Sequence, residues 1–347
     1  MRRVCALLLL ALVGCRCTNR IEPVAEQPDS VLCRHARIVF IGDVMAHLPQ
    51  VARAYTGSGY DFAPTFRYVV QMLGDADLAV ANLETTLSDT PPYTGYPQFR
   101  SPAEIADALK GAGIDVAVLA NNHVLDYGAE GVRRTIGILD RHDIAHTGTF
   151  ADSTDYAANN PLRLERNGIR IAILNYTYGT NGIPARGGIV VNRIDTTAIK
   201  RDIAHAADAD CIIAYMHWGD EYRRQATAAQ RHLAAFLHRN GVDVVVGSHP
   251  HVVQPCECDR QGSTLYSLGN FVSNQRRRYC DGGAIATLDV VCHGDSTAHT
   301  LTVTPAWVRQ SDYAVIPQHV GDTLAMSAGD RAIYGVCMAD AAALLGQ

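Results

Sequence analysis

The sequence carries no excess of positive charge. Over 347 residues the formal net charge is −5 and the pI is near 6.3, so no broad basic field exists to hold a nucleic acid. No Gly-x-Gly-x-x-Gly follows the first expected strand, which removes the phosphate loop of a dinucleotide-binding fold. The N-terminal apolar run, Val4 to Gly14, falls short of the roughly 20 residues that a membrane span requires. Cysteine is not scarce, at ten residues. Yet Cys256, Cys258 and Cys280 lack the further ligand pair, at usual spacing, of a structural zinc site.

What is present begins with that apolar run. Met1-Arg2-Arg3 ahead of it makes an export signal, and Leu12-Val13-Gly14-Cys15 looks like a bacterial lipobox. Residues 1–14 are therefore expected to be a lipoprotein signal peptide, with Cys15 acylated and the mature chain held on the membrane outside the cytoplasm. Residues 15–35, with Asn19, Glu22, Pro23, Glu26, Gln27 and Pro28, have the composition of a flexible tether. Removing Cys5 and Cys15 leaves eight cysteines, a number compatible with disulfides in an oxidising compartment. Cys256, Cys258 and Cys280 are placed to staple one segment.

Nearly half of the chain is apolar, 48%, enough for one large α/β core. Strands are expected at 37–42, 78–82, 115–120, 169–175, 211–217 and 243–247. Helices are expected at 63–73, 103–110, 129–141, 196–207 and 225–239. This alternation predicts parallel βαβ units with helices on both faces. After Leu265 the pattern turns to antiparallel strands, at 283–291 and 300–303, and from Gly321 to an Ala-rich helix. The expectation is a four-layer α/β sandwich, mostly parallel with a β-rich C-terminal part, over residues 37–310, followed by an extension over 311–347.

Five of the apolar runs end in a potential metal ligand or general acid: Asp43, Glu84, Asn122-His123, His217 and His249-Pro250-His251. Buried parallel strands would bring these endings to one edge of one sheet, where open α/β folds build their sites. Four runs also begin with Asp, at Asp77, Asp115, Asp210 and Asp243. A strand rises about 3.3 Å per residue, so those acids lie roughly 20 Å away, at the opposite edge. Carboxylate, carboxamide and imidazole together favour divalent first-row metals. Two ions about 3.5–4 Å apart would clamp the attacking and leaving oxygens of a hydrolytic displacement, with Glu84 best placed to bridge them.

Six segments carry a resemblance: Gly42-Asp43-Val44-Met45, Asn82-Leu83-Glu84, Asn121-Asn122-His123, His217-Trp218-Gly219-Asp220-Glu221-Tyr222, Gly247-Ser248-His249-Pro250-His251 and Ser267-Leu268-Gly269-Asn270-Phe271. In this order, over about residues 37 to 275, the chain resembles the bacterial CapA/PgsA family of poly-γ-glutamate capsule synthesis. That family in turn resembles the calcineurin-like metallophosphoesterases, a four-layer α/β sandwich around two metals. The resemblance implies Asp43 and His251 on one metal, Asn122, His217 and His249 on the other, Glu84 between them, and His123 as proton donor to the leaving group. It implies divalent ions of manganese, zinc or iron. Met45 stands where the phosphoesterase pattern has a histidine, and a thioether is a poor ligand for hard ions, so the first site is expected to be the weaker.

Around these residues, Glu221, Tyr222 and Asn270 are candidate substrate or ligand-supporting contacts, and Trp218 and Phe271 either line a wall or pack the core. Two functions compete. One is an envelope-anchored, metal-dependent hydrolase acting on a phosphoester or amide bond in the making of an anionic polymer, alongside a polymer synthase. The other is a non-enzymatic assembly or export factor, in which Arg223, Arg224 and Arg276 to Arg278 hold polyanion. A periplasmic phosphoesterase unrelated to capsule would share the same metal residues.

Overall fold

The structure, a computed structural model, describes residues 15–18 and 33–345. The expected signal peptide and most of the expected tether lie outside the described residues. Two β-sheets, of nine and six strands, pack face to face between helices. The strands used below are β1 (Cys33–Val44), β2 (Leu78–Leu83), β3 (Val116–Val118), β4 (Ile169–Thr177), β5 (Cys211–His217), β6 (Val244–Ser248), β7 (Asn270–Val272), β8 (Gly282–His293) and β9 (Ser296–Val308). The first sheet runs β9-β8-β1-β2-β3, with β7 beside β1. In it β1, β2 and β3 are parallel, whereas β8 is antiparallel to both β1 and β9. The second sheet is built on parallel β4, β5 and β6.

Period-two alternation sorts the side chains into layers. In β1, Ile38 and Phe40 face the second sheet, meeting Ile171, Ile213, Tyr215 and Val246, while Val39 and Ile41 pack under helices. The helices on that side are α1 (Glu104–Gly111) and α2 (Gly128–Arg141). They bury Ile105 and Leu109, and Val132, Ile136 and Leu139, spacings of three and four that put each set on one helical face. Across the molecule α3 (Thr196–His205) and α4 (Ala228–Arg239) cover Ala214 and Met216 with Ile199, Ile203, Ala234 and Leu237. The order helix, sheet, sheet, helix is the expected four-layer sandwich. A last helix, α5 (Ala328–Leu345), packs Tyr334 and Met338 on Trp307 and Ile316.

One expectation is corrected. The five runs do not share a sheet: β1, β2 and β3 lie in the first and β5 and β6 in the second. Strands buried on both faces are apolar throughout, so the periodicity is the same whichever sheet a strand joins. Smaller corrections follow from local chemistry. The strand expected at Arg37 starts at Cys33, within the expected tether, because β8 pairs with it back to that point. The helix expected at 63–73 breaks into Ala63–Phe66 and Val70–Gly74. Cys258 and Cys280 are free thiols, so they do not staple their segment.

The entering aspartates have a structural task at the far edge. Asp77 accepts from Arg37 N–H at 2.7 Å, Asp115 from Ala79 N–H at 2.9 Å, Asp210 from Arg170 N–H at 2.9 Å and Asp243 from Ile212 N–H at 2.8 Å. Each carboxylate thus satisfies a backbone donor of the neighbouring strand at the point where the strand pairing begins.

Near the other edge, β1 shifts register against β2 between Ile41 and Asp43. Gly42 lies there because the chain of Gly269 crosses it: a Cβ at Gly42 would stand 2.1 Å from Gly269 O. Gly42→Ala is therefore expected to lower unfolding free energy by ~1–3 kcal/mol in urea titrations. Gly74→Ala, where a Cβ meets nothing within 4 Å, is expected to leave stability unchanged or raise it.

Candidate metal centre

The exit edges of the two sheets meet. Asp43 comes from the end of β1, Glu84 follows β2, and Asn122 and His123 follow β3; opposite them His217 ends β5, and His249 and His251 follow β6. Just behind this rim the Tyr215 hydroxyl donates to Ile41 O at 2.9 Å, joining the sheets. All seven rim side chains are buried.

Two groups of donors result. Glu84, His217 and His249 form one, and Asp43, Glu84 and His251 the other, with the donor atoms of each within 4.8 Å of one another. Glu84 belongs to both: its Oε1 lies 3.7 Å from His217 Nε2 and 3.9 Å from His251 Nε2. That oxygen is buried without a hydrogen-bond partner, as is His249 Nδ1. Buried polar atoms are rarely left so. A carboxylate oxygen from the first sheet facing imidazoles from the second is the donor set that divalent first-row ions take, so these residues fit a metal. Asn122 Oδ1 joins the first group at 2.9 Å from His217 Nε2.

Local structure aims each donor. Asn82 spans the two carboxylates, donating to Asp43 Oδ1 at 2.8 Å and Glu84 Oε2 at 3.2 Å. Ser248 Oγ lies 2.9 Å from His217 Nδ1, which leaves Nε2 for the rim. His249 and His251 have φ of +94° and +57°, a conformation that costs non-glycine residues energy and concentrates at functional sites. Here it points both rings of the His249-Pro250-His251 turn at Glu84. His123 Nδ1 lies 2.8 Å from Asp126 Oδ2, which also accepts Phe99 N–H at 2.7 Å.

The same burial sets the electrostatics. Glu84 is raised well above the ordinary carboxyl range, first by burial and then by the negative charge of Asp43. Burial pulls His217 well below the usual imidazole value, with His249 and His251 adding to it. His249 is pushed down to about 3, mainly by burial. Neutral imidazoles are in the protonation state that binds a cation, and Glu84, shifted up without one, would give up its proton as a cation binds.

The family model for bacterial capsule synthesis protein PGA_cap matches residues 37–275, from β1 through the loop behind His251. The chain belongs to this family. The capsule biosynthesis protein CapA of Bacillus anthracis is 30% identical over 284 residues, covering 78% of this chain and 66% of that protein. The PGA biosynthesis protein CapA of Bacillus subtilis is 30% identical over 243 residues, covering 68% of this chain and 63% of that protein. The chain therefore spans less than two thirds of the length of either relative. The solved 5'-nucleotidase of Candida albicans is similar over 72% of this chain and 46% of its own, at 13% identity and a TM-score of 0.43.

In this member of the PGA_cap family the remaining expected residues separate by environment. Met45 is buried and lines a cavity of about 120 Å³ with Phe62, Phe66, Val272, Arg67 and Asp312, while the group of Asp43, Glu84 and His251 keeps three donors without it. Trp218 donates to Tyr266 O at 2.9 Å inside the core, and Phe271 packs on Phe66; both are core residues rather than a wall. Tyr222 is half-buried, 6.1 Å from the His251 ring, and Glu221 beside it is exposed. Asn270 is buried, with Oδ1 3.1 Å from His251 Nδ1, so it supports that ring from behind.

Three neighbours escaped the sequence reading. Asp126 sits three residues after His123, a spacing that could have flagged it. Tyr178 follows β4, the one run with no ligand at its end, and its ring lies 4.4 Å from His249. His47, two residues past Met45, packs edge-on to Phe99, which packs edge-on to His123.

A histidine held neutral when folded binds its proton preferentially when unfolded, so its contribution to stability falls as pH drops below about 6.5. Glu84, shifted up, acts in the opposite sense and is common to wild type and a His249 variant. In metal-free protein, urea denaturation between pH 6.5 and 4.5 is expected to show a shallower acid loss for His249→Asn, by up to about 1.4 kcal/mol per pH unit. Parallel profiles would contradict the neutral assignment.

Proposed function

We propose that this protein is a metal-dependent hydrolase of the cell envelope, acting in the synthesis or processing of poly-γ-glutamate or a related anionic polymer. The observation that carries the reading is the buried Glu84 Oε1, without a hydrogen-bond partner, facing His217 at the end of β5 and His251 in the turn after β6. The PGA_cap membership and the capsule and PGA biosynthesis names of the two Bacillus proteins support the polymer. Asp43, Glu84 and His251 would hold one ion, and Glu84, Asn122, His217 and His249 a second, the metals being manganese, zinc or iron. Such ions supply Lewis acidity and make a water a strong nucleophile near neutral pH.

The chain's own groups do the rest. Asp126 accepts the Nδ1 proton of His123 and stabilises the ring when both nitrogens are protonated, so Nε2 can give its proton to a leaving group. Phe99 packs on that ring at 4.8 Å and fixes its plane. Glu221 and Tyr222 are the substrate contacts of this reading. The leader at 1–14, acylation of Cys15 and a tether ahead of β1 would place the site at the membrane surface beside a polymer synthase, with 37–310 as the catalytic domain and 311–347 as its extension. Among the described residues no helix is long and apolar enough to cross a membrane.

Two measurements test this. Metal analysis after manganese, zinc or iron loading is expected to find bound ion in wild type and loss of it in Glu84→Ala and His217→Ala; wild type without stoichiometric metal in any of these salts would overturn the reading. His123→Asn is expected to keep the metal and lower turnover by ~10²–10⁴-fold. Polymer export undiminished by Glu84→Ala, with folding preserved, would instead favour a non-enzymatic assembly factor.

A further inference from the structure

A tyrosine borders each half of the centre. Tyr222 lies 6.1 Å from the His251 ring, with Arg277 over its own ring at 4.2 Å and the Glu221 carboxylate beside its hydroxyl. Tyr178 lies 4.4 Å from the His249 ring and 6.2 Å from the His217 ring, the latter two planes only 10° apart. Its backbone is fastened on both sides: Tyr178 N–H donates to His217 O at 3.0 Å, and Tyr178 O accepts from Arg193 Nη2 at 3.1 Å. The ring is thus held over two ligands of one half.

Its hydroxyl keeps a proton to give. Asn122 turns Oδ1 to His217 Nε2 at 2.9 Å and donates through Nδ2 to Asn181 Oδ1 at 3.2 Å, on the loop that carries Tyr178. Asn122 therefore meets the Tyr178 hydroxyl as a donor. A phenol both accepts and donates, and here its oxygen faces a donor while its O–H has no acceptor. The carboxylates that act on it by charge are Glu221 and Glu84; Glu221 stands beside Tyr222, and Glu84 Oε1 has no hydrogen-bond partner while Oε2 accepts from Asn82.

That hydroxyl is also within reach of solvent. Asp43, Glu84 and His217 have no exposed surface, whereas Asn122, His123, His249 and His251 keep 2–4%, so the centre is approached from their side. Tyr178 borders Asn122 and His249 on that side and is 42% exposed, and its hydroxyl is not among the buried polar atoms left without a partner.

We infer that Tyr178 is a substrate-binding residue whose hydroxyl donates to an oxygen of a tetrahedral oxyanion held at the Glu84, Asn122, His217 and His249 half of the centre. A phosphoryl group and an amide carbonyl attacked by water share that shape, and a donor fixed in advance stabilises the charge on their oxygens. The inference rests on the metal centre proposed above and adds to it the group that recognises the reacting part of the substrate.

The test is calorimetric binding of two probes to manganese-loaded protein: inorganic phosphate, and a γ-linked diglutamyl phosphinate that puts a tetrahedral oxyanion in place of the amide. Wild type is compared with Tyr178→Phe and with a control, Tyr55→Phe, whose hydroxyl donates to Gly57 O at 2.7 Å. Tyr178→Phe keeps the ring and removes only the donor. It is expected to bind the preferred probe about tenfold more weakly, the scale of a lost hydrogen bond to a charged group, with metal content and Tm unchanged. Tyr55→Phe is expected to match wild type. Preference for phosphate assigns the subsite to phosphoesters, and preference for phosphinate to γ-glutamyl amides. Loss of metal from Tyr178→Phe would reduce the residue to a support for His249 and overturn the subsite. Stoichiometric metal with equal affinities in wild type and Tyr178→Phe, or with neither probe bound by wild type, overturns the subsite and leaves the metal centre standing; wild type without metal overturns both.

Discussion

One carboxylate oxygen organises this molecule. Glu84 is fully buried, and its ion-pair contacts are two histidines rather than a lysine or arginine. Taking a carboxylate out of water costs several kcal/mol unless a charge compensates it, and Asp43, also buried, compounds the cost by its own negative charge, which the Asn82 amide, donating to both, offsets only in part. Neutral imidazoles cannot neutralise two carboxylates. The arrangement is balanced when cations sit between them, and the strained His249-Pro250-His251 turn and the Gly42 crossing all serve to bring donors to that oxygen.

The two ends of each strand divide the work. At the entering edge the aspartates hold backbone donors of neighbouring strands, a purely structural use of carboxylate that steadies the sheet. At the exit edge the same chemistry is left uncompensated. Between them lies the core, in which Phe40 and Tyr215 from opposite sheets meet, and it fixes the distance across which the two rims can share Glu84. The centre therefore depends on sheet packing as much as on its own residues.

Much of this was legible in the residues. Apolar runs ending in Asp43, Glu84, Asn122, His217 and His249 marked strands and their polar rim, because burial on both faces and a polar exit leave a local signature. Their division between two sheets was not legible, since pairing is a long-range choice that leaves no trace in the period of a strand. Ala145–Thr147 was missed for want of length, and Leu162–Arg166 because Arg163, Glu165 and Arg166 leave it no apolar run. Tyr178 was missed because only the fold brings the end of its strand to the rim, whereas Asp126, three residues after His123, left a local spacing that went unread.

The most direct measurement is an anomalous-difference map from crystals of the protein grown with manganese. A shared Glu84 predicts two peaks within bonding distance of its carboxylate, one toward His217 and His249 and one toward Asp43 and His251. A map with no peak beside Glu84, its carboxylate paired instead to a protein donor, would contradict the account.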